Sequence, residues 1–485
     1  MGGRLPVRPV ALVAGAALVL SSCAGAVRRA EEEGGTGKAR PNIVFVLTDD
    51  LSENLVEYMP HVKEMRRQGL TFGNYFVTDS LCCPSRATTL TGRYPHNTGV
   101  FTNEGADGGY RAFNARGNQR DTFATALRKS GYRTAMMGKY LNGYQPRDPV
   151  PPGWDEWYVG GNGYLGFDYT LNENGRAVRY GDRPSDYMTD VLARKGDDFI
   201  ARAAKGDRPF MLEIATFAPH GPYTPAPRDA GKFPGLRAPR GPSFDEADMA
   251  DKPAWLKDQP PLRPEQVRTI DRAFRKRAQS VQAVDALIGR LQAALKTAGA
   301  DRDTYLVFTS DNGFHMGEHR LAQGKQTAFD TDIKVPLVVT GPGVAAGTAD
   351  EQLVQNTDLC PTFEELGGVS VPPDVDGRSL VPALKGEKPA SLRGAVLVEH
   401  HGPNNAPGDP DRQNRAGGNP PSYAAIRTAR ELWVEYAGGA REYYDLGRDP
   451  YQLDNAVRRL APERRRQLHE MVRRLRNCQG AECRA

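Results

Sequence analysis

Asn42-Ile43-Val44-Phe45-Val46-Leu47-Thr48 is an almost unbroken apolar run, and it ends in Asp49-Asp50. A run of that kind suits a strand buried on both faces, as in a parallel sheet covered by helices. Similar runs follow. Residues 132–137 lead to Gly138-Lys139, residues 210–217 to His220, residues 305–309 to Asp311-Asn312, and residues 335–340 to Gly341-Pro342. Helical spacing lies between them. Residues 122–129 fit one helix. Residues 265–298 fit a longer one, with Val267, Ile270, Phe274, Ala278, Val281, Val284, Ile288, Leu291 and Leu295 three or four apart. Strands that alternate with helices imply an α/β fold with a large, mainly parallel sheet sandwiched by helices. Ligands of such sheets sit at the carboxyl ends of the strands. Asp49/Asp50, Lys139, His220 and Asp311/Asn312 all follow strand runs, where packing asks for no polar group.

The chain has 485 residues, 39% hydrophobic and 25% charged. That balance excludes a disordered chain, a collagen, a coiled coil and a multi-span membrane protein. A net charge of +5, from 64 basic and 59 acidic residues, is too weak to argue for nucleic acid. At the N-terminus Arg4 and Arg8 precede an apolar run over residues 10–20, too short to span a bilayer and suited to a secretory signal. Leu20-Ser21-Ser22-Cys23 resembles the lipobox of bacterial lipoproteins, which makes Cys23 the expected lipidated residue. The alternative is an ordinary signal peptide cut near Ala24 or Ala26. Either reading exports the protein, as a cell-surface lipoprotein or in secreted form, with membrane contact only through the lipid.

The expected organisation is a signal peptide at 1–22, a lipidated cysteine and flexible tether at 23–40, a catalytic domain at 41–393, and a C-terminal part at 394–485. Residues 221–264, rich in Pro and charge, read as a surface excursion. Short strand patterns at 424–428, 432–436 and 442–446 suggest a small antiparallel C-terminal subdomain. The tail 458–484 holds nine arginines and three glutamates and reads as a basic surface helix. Cys478 and Cys483 flank a four-residue turn, so a local disulfide fits an oxidising compartment. Cys360, before Pro361 on an apolar helix, reads as a buried thiol.

The strongest chemical signal is Cys82-Cys83-Pro84-Ser85-Arg86-Ala87-Thr88-Thr89-Leu90-Thr91-Gly92-Arg93. Pro84 suits a first helical turn and Gly92 a helix end. Cys82 would then face a helix N-terminus, which favours an anion. Arg86 and Arg93 offer fixed positive charge to a tetraoxyanion. A plain helix with a buried thiol is the structural alternative. A cysteine-phosphatase loop needs five residues between Cys and Arg, and Cys82 to Arg86 leaves three.

The stretch resembles the signature of the type I, formylglycine-dependent sulfatases, in which the cysteine of Cys-x-Pro-Ser-Arg becomes an aldehyde. The matching position is Cys82. Other motifs resemble the family in the same order over residues 40–456. Asp49, Asp50, Asp311 and Asn312, with residue 82, match its divalent metal ligands. Their oxygens suit calcium, the family's usual metal, or magnesium. Lys139 and Lys325 match its sulfate-binding lysines. His220, in Ala218-Pro219-His220, matches the histidine that faces the leaving-group oxygen, and His315 falls near the metal and aldehyde. Without the resemblance, Asp49-Asp50 reads equally as a helix cap and His220 as a turn cap.

The resemblance implies an alkaline-phosphatase-like fold and hydrolysis of sulfate monoesters. In that chemistry the hydrated aldehyde attacks sulfur and then expels sulfate, with Arg86 and Lys139 stabilising it. A formylglycine-generating enzyme is the implied partner during maturation. Leu141 stands where many sulfatases have a histidine, and Lys139-Tyr140-Leu141-Asn142 resembles the glucosamine-6-sulfatase branch. The expected substrate is a sulfated sugar such as glucosamine 6-sulfate, consistent with glycosaminoglycan degradation. Asn103, Tyr140, Asn142 and Tyr144 are candidate sugar contacts, or else packing tyrosines and turn asparagines. A broad arylsulfatase and a phosphate or phosphonate monoester hydrolase of the same superfamily are the rival activities. A non-catalytic surface binding protein is a further rival, and the intact set Cys82, Arg86, Lys139, His220 and Lys325 argues against it.

Overall fold

The computed structural model describes residues 40–387, 393–413 and 415–484. Cys23, the signal-like run and residues 24–39 of the tether lie outside them. No helix of the described residues is long and apolar enough to cross a membrane.

Ten strands form the main sheet: β1 (Asn42–Thr48), β2 (Leu70–Phe76), β3 (Arg133–Lys139), β4 (Glu156–Gly160), β5 (Thr170–Glu173), β6 (Arg176–Arg179), β7 (Phe210–Ala215), β8 (Thr304–Ser310), β9 (Leu337–Thr340) and β10 (Thr348–Gln355). Their order is β10-β2-β9-β8-β1-β7-β3-β4-β5-β6. β8, β1, β7, β3 and β4 are mutually parallel neighbours. Their carboxyl ends therefore meet at one edge, where the sequence places its polar groups. β1 shows why both faces are apolar. Ile43, Phe45 and Leu47 pack on one side with Phe123 and Phe363. Val44 and Val46 pack on the other with Phe274, Ile288 and Leu291 of the long helix Pro264–Thr297.

β9 departs from the parallel pattern, pairing antiparallel with both β8 and β2. An apolar run reads the same in either direction, so nothing in residues 335–340 signals this. The Gly341 end of β9 consequently leaves at the edge opposite the polar groups.

The helix Cys82–Thr91 ends at Gly92, which takes the left-handed conformation (φ 69°). A Cβ there would lie 2.8 Å from Val375 Cγ1, so space and backbone both ask for glycine. Helix Phe123–Lys129 starts at Thr122, whose side chain accepts from the Thr125 N–H. The excursion 221–264 contains one short helical turn, Pro227–Asp229.

A second, antiparallel sheet runs β11 (Val396–His400), β12 (Tyr423–Arg427), β13 (Glu431–Tyr436) and β14 (Arg441–Asp445) in that order. The tail helix Pro462–Arg476 buries Leu468, Val472 and Leu475 against it and leaves most of its arginines outside. Each such burial contributes about 1.5–3 kcal/mol. Cys478 and Cys483 form a disulfide, and Cys360 is a buried thiol on helix Leu359–Leu366. Arg40–Ala485 is one compact unit, with the small sheet inside it.

Candidate active site

Helix Cys82–Thr91 points its N-terminus at the ends of β1, β3, β7 and β8. Cys82 is fully buried there. Its Sγ accepts from Lys325 Nζ at 2.7 Å, and its single proton has two carboxylate acceptors in reach, Asp49 Oδ1 at 3.1 Å and Asp411 Oδ2 at 3.4 Å. Burial, then the Asp411 and Asp49 carboxylates, push the thiol well above its usual range. A thiolate nucleophile of the cysteine-phosphatase kind needs the opposite shift.

Around Cys82 opposite charges interlock. Lys139, the last residue of β3, reaches Asp49 Oδ2 at 2.6 Å. Lys325 reaches Asp50 Oδ1 at 2.6 Å and Asp411 Oδ1 at 2.8 Å. Arg86, one helical turn after Cys82, bonds Asp311 Oδ2 through Nε at 2.7 Å and the Lys139 carbonyl through Nη1 at 2.8 Å. Its Nη2 is buried without a partner among the described residues. Burial works against the charge on both lysines, but Asp49 beside Lys139, and Asp411 with Asp50 beside Lys325, hold both well above the ordinary lysine range. His220 Nε2 lies 2.7 Å from Asp411 Oδ1 and 3.7 Å from Asp50 Oδ2. Burial lowers its pKa, and the carboxylates of Asp50, Asp411 and Asp49 outweigh this, taking it up to about 9. Lys325, His220 and Lys139 in turn outweigh burial at Asp411 and hold it well below the usual carboxylate range.

The residues present fit a hard divalent cation. Asp49, Asp50, Cys82 and His220 bring ligand atoms within 4.8 Å of one another. Asp311 joins the group by accepting from the Asp50 N–H at 3.1 Å. Asn312 donates to Asp50 Oδ1, while its own Oδ1 is buried with no partner among the described residues. A buried amide oxygen without a donor, beside carboxylates, is what an oxygen-seeking cation satisfies.

Four expectations need correction. Arg93 lies at the far end of the helix and pairs with Asp121 and Asp374 at 3.3 and 3.5 Å, so it does not face the anion pocket. His315 is engaged at both ring nitrogens, with Asp332 at 2.9 Å and the Gly417 carbonyl at 3.0 Å. It braces the loop that carries Lys325, through paired backbone bonds with Gly324, and is not a member of the metal cluster. Tyr140 sits in an aromatic cluster with Trp157, Tyr110 and Phe113. Tyr144 shares that cluster, and its hydroxyl accepts from Trp157 Nε1 and Asn172 Nδ2. Both tyrosines are core residues. Asn103 and Asn142, by contrast, line a cavity beside the pocket.

Sequence reasoning missed three participants. Asp411 lies in the loop between β11 and β12, a Pro- and Asn-rich stretch with no apolar period to mark it. Tyr164 packs its ring against His220 with centroids 4.5 Å apart and lies 5.1 Å from Lys139 Nζ. Arg277 is a buried cation inside the long helix, and Nη2 donates to the Asp50 carbonyl at 2.5 Å. A charge among the apolar positions of that helix was the available signal for Arg277.

The sequence profile of the sulfatase family matches residues 41–369, and that of the N-sulphoglucosamine sulphohydrolase C-terminal region matches residues 317–479. The chain belongs to the sulfatase family. Its similarity to curated relatives runs nearly end to end. The N-acetylglucosamine-6-sulfatase of Homo sapiens is 36% identical over 500 residues, covering 96% of this chain and 89% of that one. A structure solved in complex with its substrate D-glucosamine-2-N,6-O-disulfate aligns with a TM-score of 0.72 and 25% identity, over 90% of this chain and 97% of that chain. The phosphonate monoester hydrolase of Agrobacterium radiobacter aligns with a TM-score of 0.65 and 24% identity, over 90% and 95%, a likeness of fold. The sulfatase is therefore an enzyme with the α/β fold expected of it.

Proposed function

We propose that this sulfatase hydrolyses sulfate monoesters with residue 82 as formylglycine and a calcium or magnesium ion beside it, and that its substrate is a sulfated sugar such as glucosamine 6-sulfate. One observation carries the reading. The Cys82 side chain, in the first turn of a buried helix, lies between Lys325 Nζ and Asp49 Oδ1, with Lys139, Arg86 and His220 around them. Residue 82, once converted to formylglycine, would supply the attacking oxygen at that point, and a bound cation would supply charge that favours it. Asp49, Asp50, Asp311 and Asn312 would hold the ion.

The remaining residues have separable tasks. Lys139 and Lys325 offset charge on the sulfuryl oxygens. Arg86 locks Asp311 through Nε and keeps Nη2 for an anion. His220 holds a proton on Nε2 and delivers it to the leaving sugar oxygen. The sugar assignment is supported by the similarity to N-acetylglucosamine-6-sulfatases and to the glucosamine disulfate complex. Export is supported by the signal-like N-terminus and the Cys478–Cys483 disulfide, with Cys23 as the lipid anchor. A formylglycine-generating enzyme would act before the helix is buried.

Peptide mass spectrometry of protein made alongside such an enzyme tests the first part. The aldehyde form is expected at residue 82, lighter than the thiol by one sulfur and two hydrogens and heavier by one oxygen. Relative turnover of glucosamine 6-sulfate, an aryl sulfate, an aryl phosphate and a phosphonate monoester tests the second. An unconverted Cys82 in active protein, or phosphonate turned over faster than either sulfate, overturns the reading.

A further inference from the structure

Arg40 precedes β1 at the edge of the main sheet opposite the catalytic pocket, with about 20 Å of strand between them. Its guanidinium donates to the Ser130 carbonyl at 2.6 Å. Gly368 lies beside it, where an added Cβ would come within 3.5 Å of Arg40 Cδ. From there the chain runs through Pro373 and Asp374 to Asp376 and Gly377. The N–H groups of these last two donate to the Gly92 carbonyl, at the far end of the helix that begins with Cys82. Gly480, just past the tail helix Pro462–Arg476, donates its N–H to Asp376 Oδ1 at 2.6 Å. An open cleft of about 470 Å³ on this base is lined among others by Arg120, Lys129, Ser130, Gly368 and Asp374. Arg40 and the end of the basic tail therefore meet on one loop, 367–377, on the side of the molecule away from the pocket.

Positive charge is concentrated at this end. Residues 458–484 hold nine arginines against three glutamates, a surplus of six, while the whole chain carries only +5, so the remainder is slightly negative. Glu463 pairs with Arg466 and Glu470 with Arg473. Arg474 and Arg476 are exposed in the last turn of the tail helix, and no ion pair takes up either among the described residues. The base adds Arg120 and Lys129, both exposed. Its acids Asp121 and Asp374 face Arg93 at 3.3 and 3.5 Å. Exposed Glu365 and Glu482 offset only part of the surplus. Like charge is crowded here. Burial, then the Arg393 charge, with Arg484 adding to it against an opposing Asp358, lower Arg378 below the usual arginine range.

A phospholipid membrane and a sulfated glycan both carry the matching charge, and the point where the chain enters the fold decides between them. Cys23 stands seventeen residues before Arg40, a reach of at most about 60 Å. A lipid on Cys23 therefore ties the base, and not the pocket edge, to the membrane. A glycan held at the base would lie a full strand length from the residues that act on its ester. Resting on the reading of Cys23 as a lipid anchor, we propose that loop 367–377, the last turn of the tail helix, Arg120 and Lys129 form a docking surface for anionic phospholipid headgroups. Docking there turns the catalytic pocket away from the membrane, toward substrate in solution. Guanidinium groups suit the lipid phosphates, which they can grip through paired N–H bonds. Each basic side chain near such a surface is worth about fivefold in affinity.

The test uses the full-length chain with Cys23→Ser, so that no lipid on residue 23 carries the binding. Vesicles of phosphatidylglycerol and phosphatidylcholine in equal parts are compared with phosphatidylcholine alone. Cosedimentation at low salt is expected to favour the anionic vesicles about tenfold or more, and added salt should close the gap. The preference is a ratio, so the apolar N-terminal run adds equally to both arms. Arg474→Gln combined with Arg476→Gln should lower the preference about tenfold, with the melting temperature unchanged. Hydrogen exchange of bound protein should slow in 367–377 and 462–484, and not in the 401–422 loop that holds Asp411. Equal binding to both vesicles, a double variant that binds like its parent, or protection of 401–422 in place of the base overturns the inference. Binding to heparin without preference for anionic vesicles also overturns it and gives the face to a glycan. The anchor reading fails separately, if mass spectrometry of the exported wild-type chain finds Cys23 without lipid, and the vesicle preference then upholds the docking surface by itself.

Discussion

Cys82 and Cys83 are chain neighbours in opposite surroundings. Cys82 touches Lys325, Asp49 and Asp411, whereas Cys83 sits in the core below the sheet and gives its N–H to Asn103 Oδ1. Cys82→Ala should abolish turnover with the melting temperature nearly kept. Cys83→Ala should cost about 1 kcal/mol by removing a small buried group, and keep activity within a few-fold. Kinetics and melts on the two purified variants check this, and an inactive Cys83 variant beside an active Cys82 variant reverses the register. Glu213 on β7 is a second informative residue. It is 2% exposed, and its Oε2 has no hydrogen-bond partner among the described residues. Burial pushes its carboxyl up to about 7, against a smaller opposing effect of Arg86. The folded protein thus holds a proton that the unfolded chain releases at an ordinary glutamate value. The native state's share of stability from this residue is full at low pH and falls as pH rises from about 4.5 to about 7. Glu213→Gln should accordingly stabilise the protein at pH 8, on the order of a few kcal/mol, and change little near pH 4. Urea titrations at both pH values measure the difference, and equal shifts at the two would contradict the assignment.

At the scale of elements, the sequence was legible where a polar residue directly follows a buried strand. Asp49, Asp50, Lys139, Asp311 and Asn312 fall within two residues of a strand end or on it, so a short segment places each. His220 stands five residues beyond β7 and needed the Pro-His-Gly-Pro context as well. Strand direction was illegible at β9, and β2 escaped notice because Gly73 and Asn74 interrupt its apolar character. Tyr140 and Tyr144 were misplaced because an aromatic near a polar motif serves a core or a sugar equally well until its neighbours are known. The β3 end carries the clearest structural demand. Gly138 has φ 99°, and a Cβ there would lie 1.9 Å from the Ala215 carbonyl oxygen of its register partner on β7. Gly138→Ala would impose backbone strain and push β3 from β7 where Lys139 leaves the sheet. The expected cost is about 2–4 kcal/mol, together with a loss of kcat larger than the loss of folded protein. Denaturant midpoints and active-site titration read the two effects, and a variant with wild-type stability would show that the strands can part freely.

At the scale of the whole molecule, the site draws on both sheets. Asp411 comes from the β11–β12 loop, the Glu399 N–H donates to the Thr78 carbonyl at 2.8 Å, Arg427 pairs with Asp330 at 2.8 Å, and Tyr423 donates to the Gln326 carbonyl at 3.1 Å. The partition at residue 393 read from strand patterns could not reveal these ties, because contacts between distant segments leave no local period. Such ties should make Arg40–Ala485 unfold as one cooperative body although it holds two sheets. Calcium offers a way to see this. Asp49, Asp50, Asp311 and Asp411 bring four carboxylates to one spot, and Lys139, Lys325, Arg86 and the protonated His220 return four positive charges. The fold is thus balanced without a metal, while the clustered carboxylates and the unpartnered Asn312 Oδ1 still offer a cation its oxygen ligands. Binding to the native state alone adds about 2.7 kcal/mol when calcium stands at a hundred times its Kd. Calorimetry of the holoenzyme should therefore show one transition that moves up by a few degrees with calcium and down with chelator. Asp311→Ala should melt lower and lose most of that calcium dependence, because it removes one proposed ligand and unpairs Arg86. If two transitions appeared and calcium moved only one, the small sheet would be an independent domain. If Asp311→Ala kept the full calcium shift, the ion would be bound elsewhere.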